Sequence, residues 1–447
     1  MSFLYRPIYW CYHSASGGWY WVRRRFTPAG FCILIGLFIA GSTLLDIENS
    51  VTYQAFSLLA GFVLLGILFS FFFRGKFAAV RHLPRVGTAG VTLHYEVRLK
   101  NLTNKTQTGL ALLENLGDPR PSFDDWLRFQ LAEGKRVRPF RLNQRRRKNP
   151  FRAAHYKISD IPPMTAGGEA EVRVEVYPLR RGVLRFDGVT VGRADPLGIF
   201  RSFIHVRAPQ SVMILPKRYS LPALALPGSM RYQEGGVVFA TNIGRSDEFV
   251  ALRDYRHGDP VRHIHWRSWA RTGKPIVKEF EDEFFVRHAL ILDTFDDEPN
   301  SEVLEECVSV AASFACTIVT QESLLDLLFV ADRSYCVTAG RGLAHADQML
   351  EILASVKNCA DLKFEVLERL VINHVALVSG CICVLQRWDD DRQRLVKKIR
   401  AVNVPLLVLV VIPPGAKKPE AGVMEDDPGN FHVLEIGRIQ EELSKLT

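Results

Sequence analysis

Two stretches near the start of the chain are apolar without interruption. Ala29–Leu45 carries no charge over 17 residues, and Val51–Phe73 none over 23. As helices rising about 1.5 Å per residue they reach ~25 Å and ~34 Å. A hydrocarbon core is about 30 Å thick, so the second is long enough, and the first is when Phe26–Pro28 extend it. The polar link Asp46–Ser50 joins them, and the pattern predicts a two-helix transmembrane hairpin. After residue 76 the period changes to two. Val91–Lys100 and Glu169–Tyr177 alternate apolar and polar positions, Leu110–Leu116 reads as a strand, and Gly182–Val191 and Ile199–Val206 flank the turn Asp195–Gly198. Short alternating strands between Gly and Pro turns predict an all-β, sandwich-like domain over 77–215. Later segments read as strands, most of them nearly continuous in apolar residues (Val286–Asp293, Leu324–Val330, Ser334–Thr338, Ser379–Leu385, Pro405–Ile412). They alternate with expected helices over Ser301–Gln321, His345–Ala360, Asp389–Ala401 and Arg438–Leu446. That order predicts a doubly wound α/β domain with a parallel sheet over 286–447. The chain thus divides into 1–76, 77–215, a linker and charged segment over 216–285, and 286–447.

Composition sharpens this picture. A mean hydropathy of +0.02 averages a strongly apolar start with two ordinary domains. With 47% hydrophobic and 23% charged residues, wholesale disorder is excluded. Arg23–Arg25 precede the first apolar run and Arg74 and Lys76 follow the second, while the link holds only Asp46 and Glu48. Lys and Arg stay on the cytoplasmic side, so both termini are expected there. Tyr9, Trp10, Trp19, Tyr20 and Trp21 suit a lipid–water interface. A cleaved leader is disfavoured, because the apolar run starts late and a second follows at once.

The net charge of +9 is equally uneven. Lys135–Arg152 holds nine basic residues and no acid, centred on Arg145, Arg146, Arg147 and Lys148. Two partners suit such a stretch. Anionic lipid contributes about 1 kcal/mol per basic residue near the surface. Nucleic acid is disfavoured, because the aromatics that stack bases are not interleaved. The eight cysteines lack paired metal-ligand spacing, and the six in the last 141 residues read as reduced core residues of a cytosolic domain.

The segment Asp247–Glu283 is dense in charge and aromatics. Asp259-Pro260 is expected to start a helix running to Thr272, with Asp259 as its cap, Arg267 and Arg271 on one face and Gly273 as its stop. Pro275–Phe280 is expected to be a strand. The motifs Arg253-Asp254-Tyr255, Gly258-Asp259, Arg262-His263-Ile264-His265-Trp266 and Ala270-Arg271, with Lys278–Glu281, resemble those of the bacterial domain-of-unknown-function-58 family. Arg181-Gly182 and Asp195–Phe200 resemble its second element. The resemblance implies a protein of the bacterial inner membrane with a von Willebrand factor A-like α/β domain. It also implies a MoxR-type AAA+ ATPase and a transglutaminase-like membrane protein as partners, and a role in assembling or maturing envelope or other complexes.

That fold family can hold a metal through Asp-x-Ser-x-Ser. Here the stretch reads Asp293-Thr294-Phe295-Asp296-Asp297. Phenylalanine cannot coordinate a hard cation, so the site at Asp293 and Asp297 is degenerate and no metal or cofactor is expected. His263 and His265, two apart, do not share a helix face. No phosphate loop or nucleophile elbow occurs. The leading expectation is a non-enzymatic, membrane-anchored cytoplasmic adaptor. The rivals are a metal-dependent hydrolase using acids around Asp293, and binding of anionic lipid or nucleic acid through Lys135–Arg152. Arg253, Tyr255, Gly258, Asp259, Arg262, Trp266 and Arg271 are either a clasp between domains or a partner surface.

Overall fold

The computed structural model describes residues 2–43, 50–117, 120–136, 151–222, 249–259, 261–280, 287–296, 301–320, 324–340 and 343–446. It opens with three helices, α1 (Ser2–Arg25), α2 (Pro28–Thr43) and α3 (Ser50–Phe71). The first was not anticipated, since its aromatics and glycines lack a run of strong helix formers. Between α1 and α2, Thr27 is a hinge whose hydroxyl accepts the Gly30 amide at 3.1 Å and so caps α2. Gly36 faces Leu59 and Gly41 faces Phe56, so α2 and α3 lie side by side and antiparallel. One of them, over Val51–Phe71, is long and apolar enough to cross a membrane; Pro28–Thr43 is apolar but shorter.

Residues 77–215 form two sheets. β1 (Phe77–His82), β3 (Leu93–Asn101), β7 (Glu169–Pro178) and β5 (Ala154–Tyr156) pair in that order, and β2 (Val86–Thr88), β9 (Arg201–Leu215), β8 (Gly182–Ala194), β4 (Leu110–Leu116) and β6 (Ser159–Ile161) in that order. Inward residues of both sheets, among them Val97, Leu112, Val174, Phe186 and Val191, make one buried cluster. The alternation is clean along β3 and most of β7, where every second side chain is buried. A helix, α4 (Phe123–Arg136), is inserted between β4 and β5. Its capping hydroxyl, Ser122, accepts the Asp125 amide at 3.2 Å.

Arg81 breaks the apolar pattern of β1 by pointing inward. Its guanidinium meets Glu114 at 2.6 Å, and Glu114 also accepts the Tyr95 hydroxyl at 2.7 Å. The Gly188 and Ala208 carbonyls accept further Arg81 donors at 3.1 and 3.0 Å. This buried group ties the two sheets together with its charges matched.

A separate hairpin pairs β10 (Phe249–Asp254) with β11 (Ile276–Phe280), and a short helix, α5 (Trp266–Thr272), lies between them. The last unit is a six-stranded sheet. β12 (Arg287–Leu292), β13 (Leu324–Val330), β15 (Gly380–Leu385), β16 (Leu406–Ile412) and β17 (Phe431–Glu435) run parallel, and β14 (Ser334–Ala339) is an antiparallel edge. The order β14-β13-β12-β15-β16-β17 reverses direction between β12 and β15. α6 (Glu302–Thr320), α7 (Leu343–Ser355) and α10 (Ile439–Leu443) cover one face, and α8 (Glu365–Val375) and α9 (Asp390–Ala401) the other. β17 and α8 were not expected. The central strands are buried throughout, as a sheet covered on both faces requires.

The expected boundary at 215 is too early. Leu215 belongs to the core of the α/β unit and Leu221 packs against it. Tyr219 donates its amide to Ser313 at 2.8 Å and its hydroxyl to Glu306 at 2.6 Å, while Ser220 and Gln440 exchange two hydrogen bonds. Residues 216–222 are therefore a strap on α6 and α10 rather than loose linker.

Candidate functional site

Two places gather the residues singled out by sequence. The first is the segment 249–280. Asp259 does not cap a helix. Its carboxylate accepts both terminal nitrogens of Arg253, at 2.7 and 2.8 Å, and the Arg256 amide at 2.8 Å. The Arg253 bond, reinforced by the Arg256 amide, lowers the Asp259 carboxyl to about 2. The expected helix from Pro260 is also interrupted. Ile264 is buried and bridges Val277, and the His265 amide donates to the Ile276 carbonyl at 2.8 Å. Strand pairing at that point leaves only a 3-10 turn over Val261–His263, then the seven residues of α5. Gly273 ends α5 as expected, in the left-handed conformation with its amide on the Trp269 carbonyl.

The other motif residues fall around this frame. The Tyr255 amide donates to the Pro275 carbonyl at 2.9 Å, extending the strand pairing by one step at the loop end of the hairpin. Gly258 has φ +108, a conformation closed to side chains, and makes the turn that delivers Asp259 to Arg253. Arg262 lies in the 3-10 turn, its side chain outside what the structure describes. Arg271 is exposed in the last turn of α5. Trp266 is 60% exposed, and its ring stacks on Trp269 at 5.3 Å and 19°. The bonds just described all lie within the segment.

A different residue joins the β unit to the α/β unit. Arg181, in the turn between β7 and β8, donates to the Leu353 and Val356 carbonyls at 3.1 and 2.6 Å, and pairs with Glu305 at 2.5 Å. It thereby satisfies the carbonyl end of α7 with a cation, the charge that end attracts.

The second place is the carboxyl edge of the six-stranded sheet at the reversal between β12 and β15, where open α/β sheets bind ligands. Asp293 follows β12 and is fully buried. Arg392, from the first turn of α9, reaches it with Nε at 3.0 Å and Nη2 at 3.2 Å. The same carboxylate accepts the Phe295 amide at 3.0 Å and the Gln386 amide at 3.2 Å. Arg392 also donates to Asp389 at 2.8 Å and lies 4.2 Å over the Phe364 ring. Asp389 caps α9, accepting the Arg392 amide at 3.1 Å. A cation of the kind the sequence resemblance implies does not fit here, because a guanidinium already occupies the carboxylate's coordinating directions. Beside it is a cleft of about 300 Å³ lined by Phe295, Lys363, Phe364, Arg387 and Arg392 among others. Asp296 pairs with Arg387 at 3.4 Å. No group of three or more metal-ligating His, Cys, Asp or Glu side chains occurs among the described residues.

Asp297, Arg145, Arg146, Arg147 and Lys148 lie outside the described residues. None of the eight cysteines forms a disulfide. Burial pushes the Cys307 and Cys383 thiols well up and Cys381 up to about 12, which keeps them from acting as thiolates.

The comparison with known families places both sites in one region. Residues 251–443 match the family model described as "Protein of unknown function DUF58". The DUF58 match takes in the hairpin, α5 and nearly all of the α/β unit, and begins after the β unit. The curated "Uncharacterized protein YeaD" of Bacillus subtilis (strain 168) is 26% identical over 231 residues, which is 47% of this chain and 56% of that protein. The chain thus spans little more than half the length of that relative. Among solved structures, the ASH/PapD-like domain of human CEP192 matches at 11% identity with a TM-score of 0.18, over 31% of this chain and 85% of that one. A GH20 exo-β-N-acetylglucosaminidase of Vibrio harveyi matches at 8% identity with a TM-score of 0.15, over 81% of each chain. At such TM-scores neither likeness carries an argument.

Proposed function

We propose that this protein is a membrane-anchored cytoplasmic adaptor. In this reading α2 and α3 are a two-span hairpin in the bacterial inner membrane, and both termini are cytoplasmic. The β unit is a sandwich standing on the membrane, and the α/β unit is von Willebrand factor A-like. The partner is a MoxR-type AAA+ ATPase, with a transglutaminase-like membrane protein in the same assembly, and the role is assembly or maturation of envelope or other complexes.

The observation that carries the reading is the state of the family segment. Its charged pair Arg253–Asp259 is satisfied within the hairpin, yet Trp266, stacked on the half-buried Trp269, is left open to solvent. An exposed tryptophan stacked on a half-buried one, flanked by Arg267 and Arg271, has the composition of an interface hot spot. Support for the hairpin comes from the geometry of α2 and α3. The start of α2 and the end of α3 both meet the β unit, through Thr27 on Ile199 and Gly66 beside Asp195. The hydrolase alternative is weakened by Arg392, which takes up the carboxylate such a reaction needs.

A photo-crosslinking residue in place of Trp266, in the full chain in intact cells, tests the reading. Capture of an AAA+ ATPase, lost with Asp259→Asn, is the expected result. Crosslinks that never include an ATPase, with the protein folded and in the membrane, overturn the partner assignment.

A further inference from the structure

α1 has a face that its own fold covers only towards its carboxyl-terminal end, where Val22 packs on the cluster around Phe200 and the Trp21 ring lies 6.2 Å from the Phe200 ring. At 100° per residue, Ile8, Trp10, Cys11, Ala15, Trp19 and Trp21 fall within one half of its circumference, and all six are exposed. No charged side chain shares that half until Arg25, at the helix end. The opposite half is occupied. The Tyr9 hydroxyl donates to the Pro121 carbonyl at 2.8 Å, and the Tyr9 and Tyr12 rings pack on Trp126 of α4 at 5.5 and 6.0 Å.

The position of α1 is set by the turn over residues 195–200. Asp195 accepts the Ile199 and Phe200 amides at 2.7 and 3.3 Å, which closes the turn. The Ile199 carbonyl then accepts the Thr27 amide at 3.1 Å. A side chain at Gly30 would come within 2.2 Å of that carbonyl, so backbone meets backbone at the α1–α2 hinge. Phe26 stacks edge-on against Phe200 at 5.2 Å. Trp19 lies 6.2 Å from Phe31, so the hinge folds the chain back rather than continuing one rod. On the same turn, Leu197 is 44% exposed.

We propose that α1 is an interfacial helix lying in the membrane plane, its Trp-rich face in lipid and its tyrosine face on the β unit, with Leu197 dipping beside it. This rests on the reading of α2 and α3 as spans. The occupant is lipid because the face is continuous with α2 through only Phe26 and Thr27, so it begins where α2 meets the headgroups. Tryptophan favours that zone, and the exposed Arg23 in its last turn suits anionic headgroups, while Arg24 and Arg25 are taken up by Asn115, Phe200 and Phe203 of the β unit. Such a face sinks roughly 5–10 Å into the headgroup and acyl boundary.

The full chain in phosphatidylcholine–phosphatidylglycerol vesicles tests this. Cys32→Ser and Cys336→Ser leave Cys11 as the exposed thiol for a fluorescent label, and Val63→Cys in a chain also lacking Cys11 labels α3. Lipids brominated near the headgroup should quench the Cys11 label most, and lipids brominated near the chain end should quench the Val63→Cys label most. Quenching at Cys11 by aqueous iodide and not by brominated lipid overturns the proposal. Shielding of Cys11 from both quenchers also overturns it, placing a protein or a second copy on the face. Failure of deep quenching at Val63→Cys alone sinks the spanning reading instead.

Discussion

Arg392 and Asp293 make the strongest residue-level commitment in the α/β unit. Removing one partner of a buried ion pair strands the other charge in low dielectric, which costs about 3–5 kcal/mol. Arg392→Ala should therefore lower the denaturation midpoint of the purified chain sharply. Pairing Asp293→Asn with Arg392→Met should recover most of the loss. Magnesium, calcium or a chelator should leave the melting temperature of the parent chain unchanged, and a clear rise with either metal would contradict the occupied site. The partner was not legible beforehand. Phe295 announced that a metal set was broken, but nothing adjacent named the replacement. The clue was a cation in the first turn of α9, where the helix dipole disfavours one. Asp259 gives a second test. Its carboxyl is lowered to about 2 in the folded chain, against about 3.9 for an unperturbed aspartate. The fork with Arg253 thus contributes fully above that ordinary value and fades as pH falls through about 2. Trp266 and Trp269 fluorescence should report loosening in that window, and Asp259→Asn should abolish the transition.

At the scale of elements, the longer strands were foreseen, while β1, β2, β5, β6, β10 and β17 were not. β3 and β7 alternate because one face meets the core and the other meets water, a pattern visible in the sequence itself. β12, β15 and β16 are apolar on both faces because helices cover both. The helix expected from Pro260 failed for a long-range reason, the pairing of Ile264 with Val277, which no local signal announces. α1 escaped because its stabilising partner, α4, lies more than a hundred residues away. Gly30 and Gly61 offer a matched comparison. A methyl at Gly30 would collide with the Ile199 carbonyl, while none of the surrounding atoms lies within 4 Å of one at Gly61. Gly61→Ala should raise thermal stability in detergent, since alanine is favoured over glycine by about 1 kcal/mol in a helix interior. Gly30→Ala should lower it. Equal responses would mean that the hinge does not depend on that close approach. Arg181 was legible only as part of a family pattern. Its bonds to Glu305 of α6 and to the Leu353 and Val356 carbonyls make it a clasp between the two units, a role that was one of two readings of the 253–271 segment. Hydrogen bonds to charged groups contribute about 1.5–3 kcal/mol each. Arg181→Ala should therefore speed amide exchange across residues 349–356 and leave β3 and β7 protected.

At the scale of the molecule, the apolar start and the two folded units were plain from hydropathy, and the joints between them were not. The strap over residues 216–222 was read as linker because proline and polar residues resemble one. In fact its tyrosine and serine bind α6 and α10. The expected topology has a direct check. Protease added outside intact spheroplasts should leave the α/β unit whole, and permeabilised cells should lose it. Digestion from outside would reverse the orientation drawn from Arg23–Arg25, Arg74 and Lys76.

A bound ion comes and goes with its concentration, so any site built on one is open to control by the surrounding solution. The guanidinium on Asp293 is part of the chain and cannot be diluted away. It leaves only if the start of α9 moves. At this edge of the sheet, charge and helix position are one variable, and whatever displaces α9 exposes a bare carboxylate in the same motion.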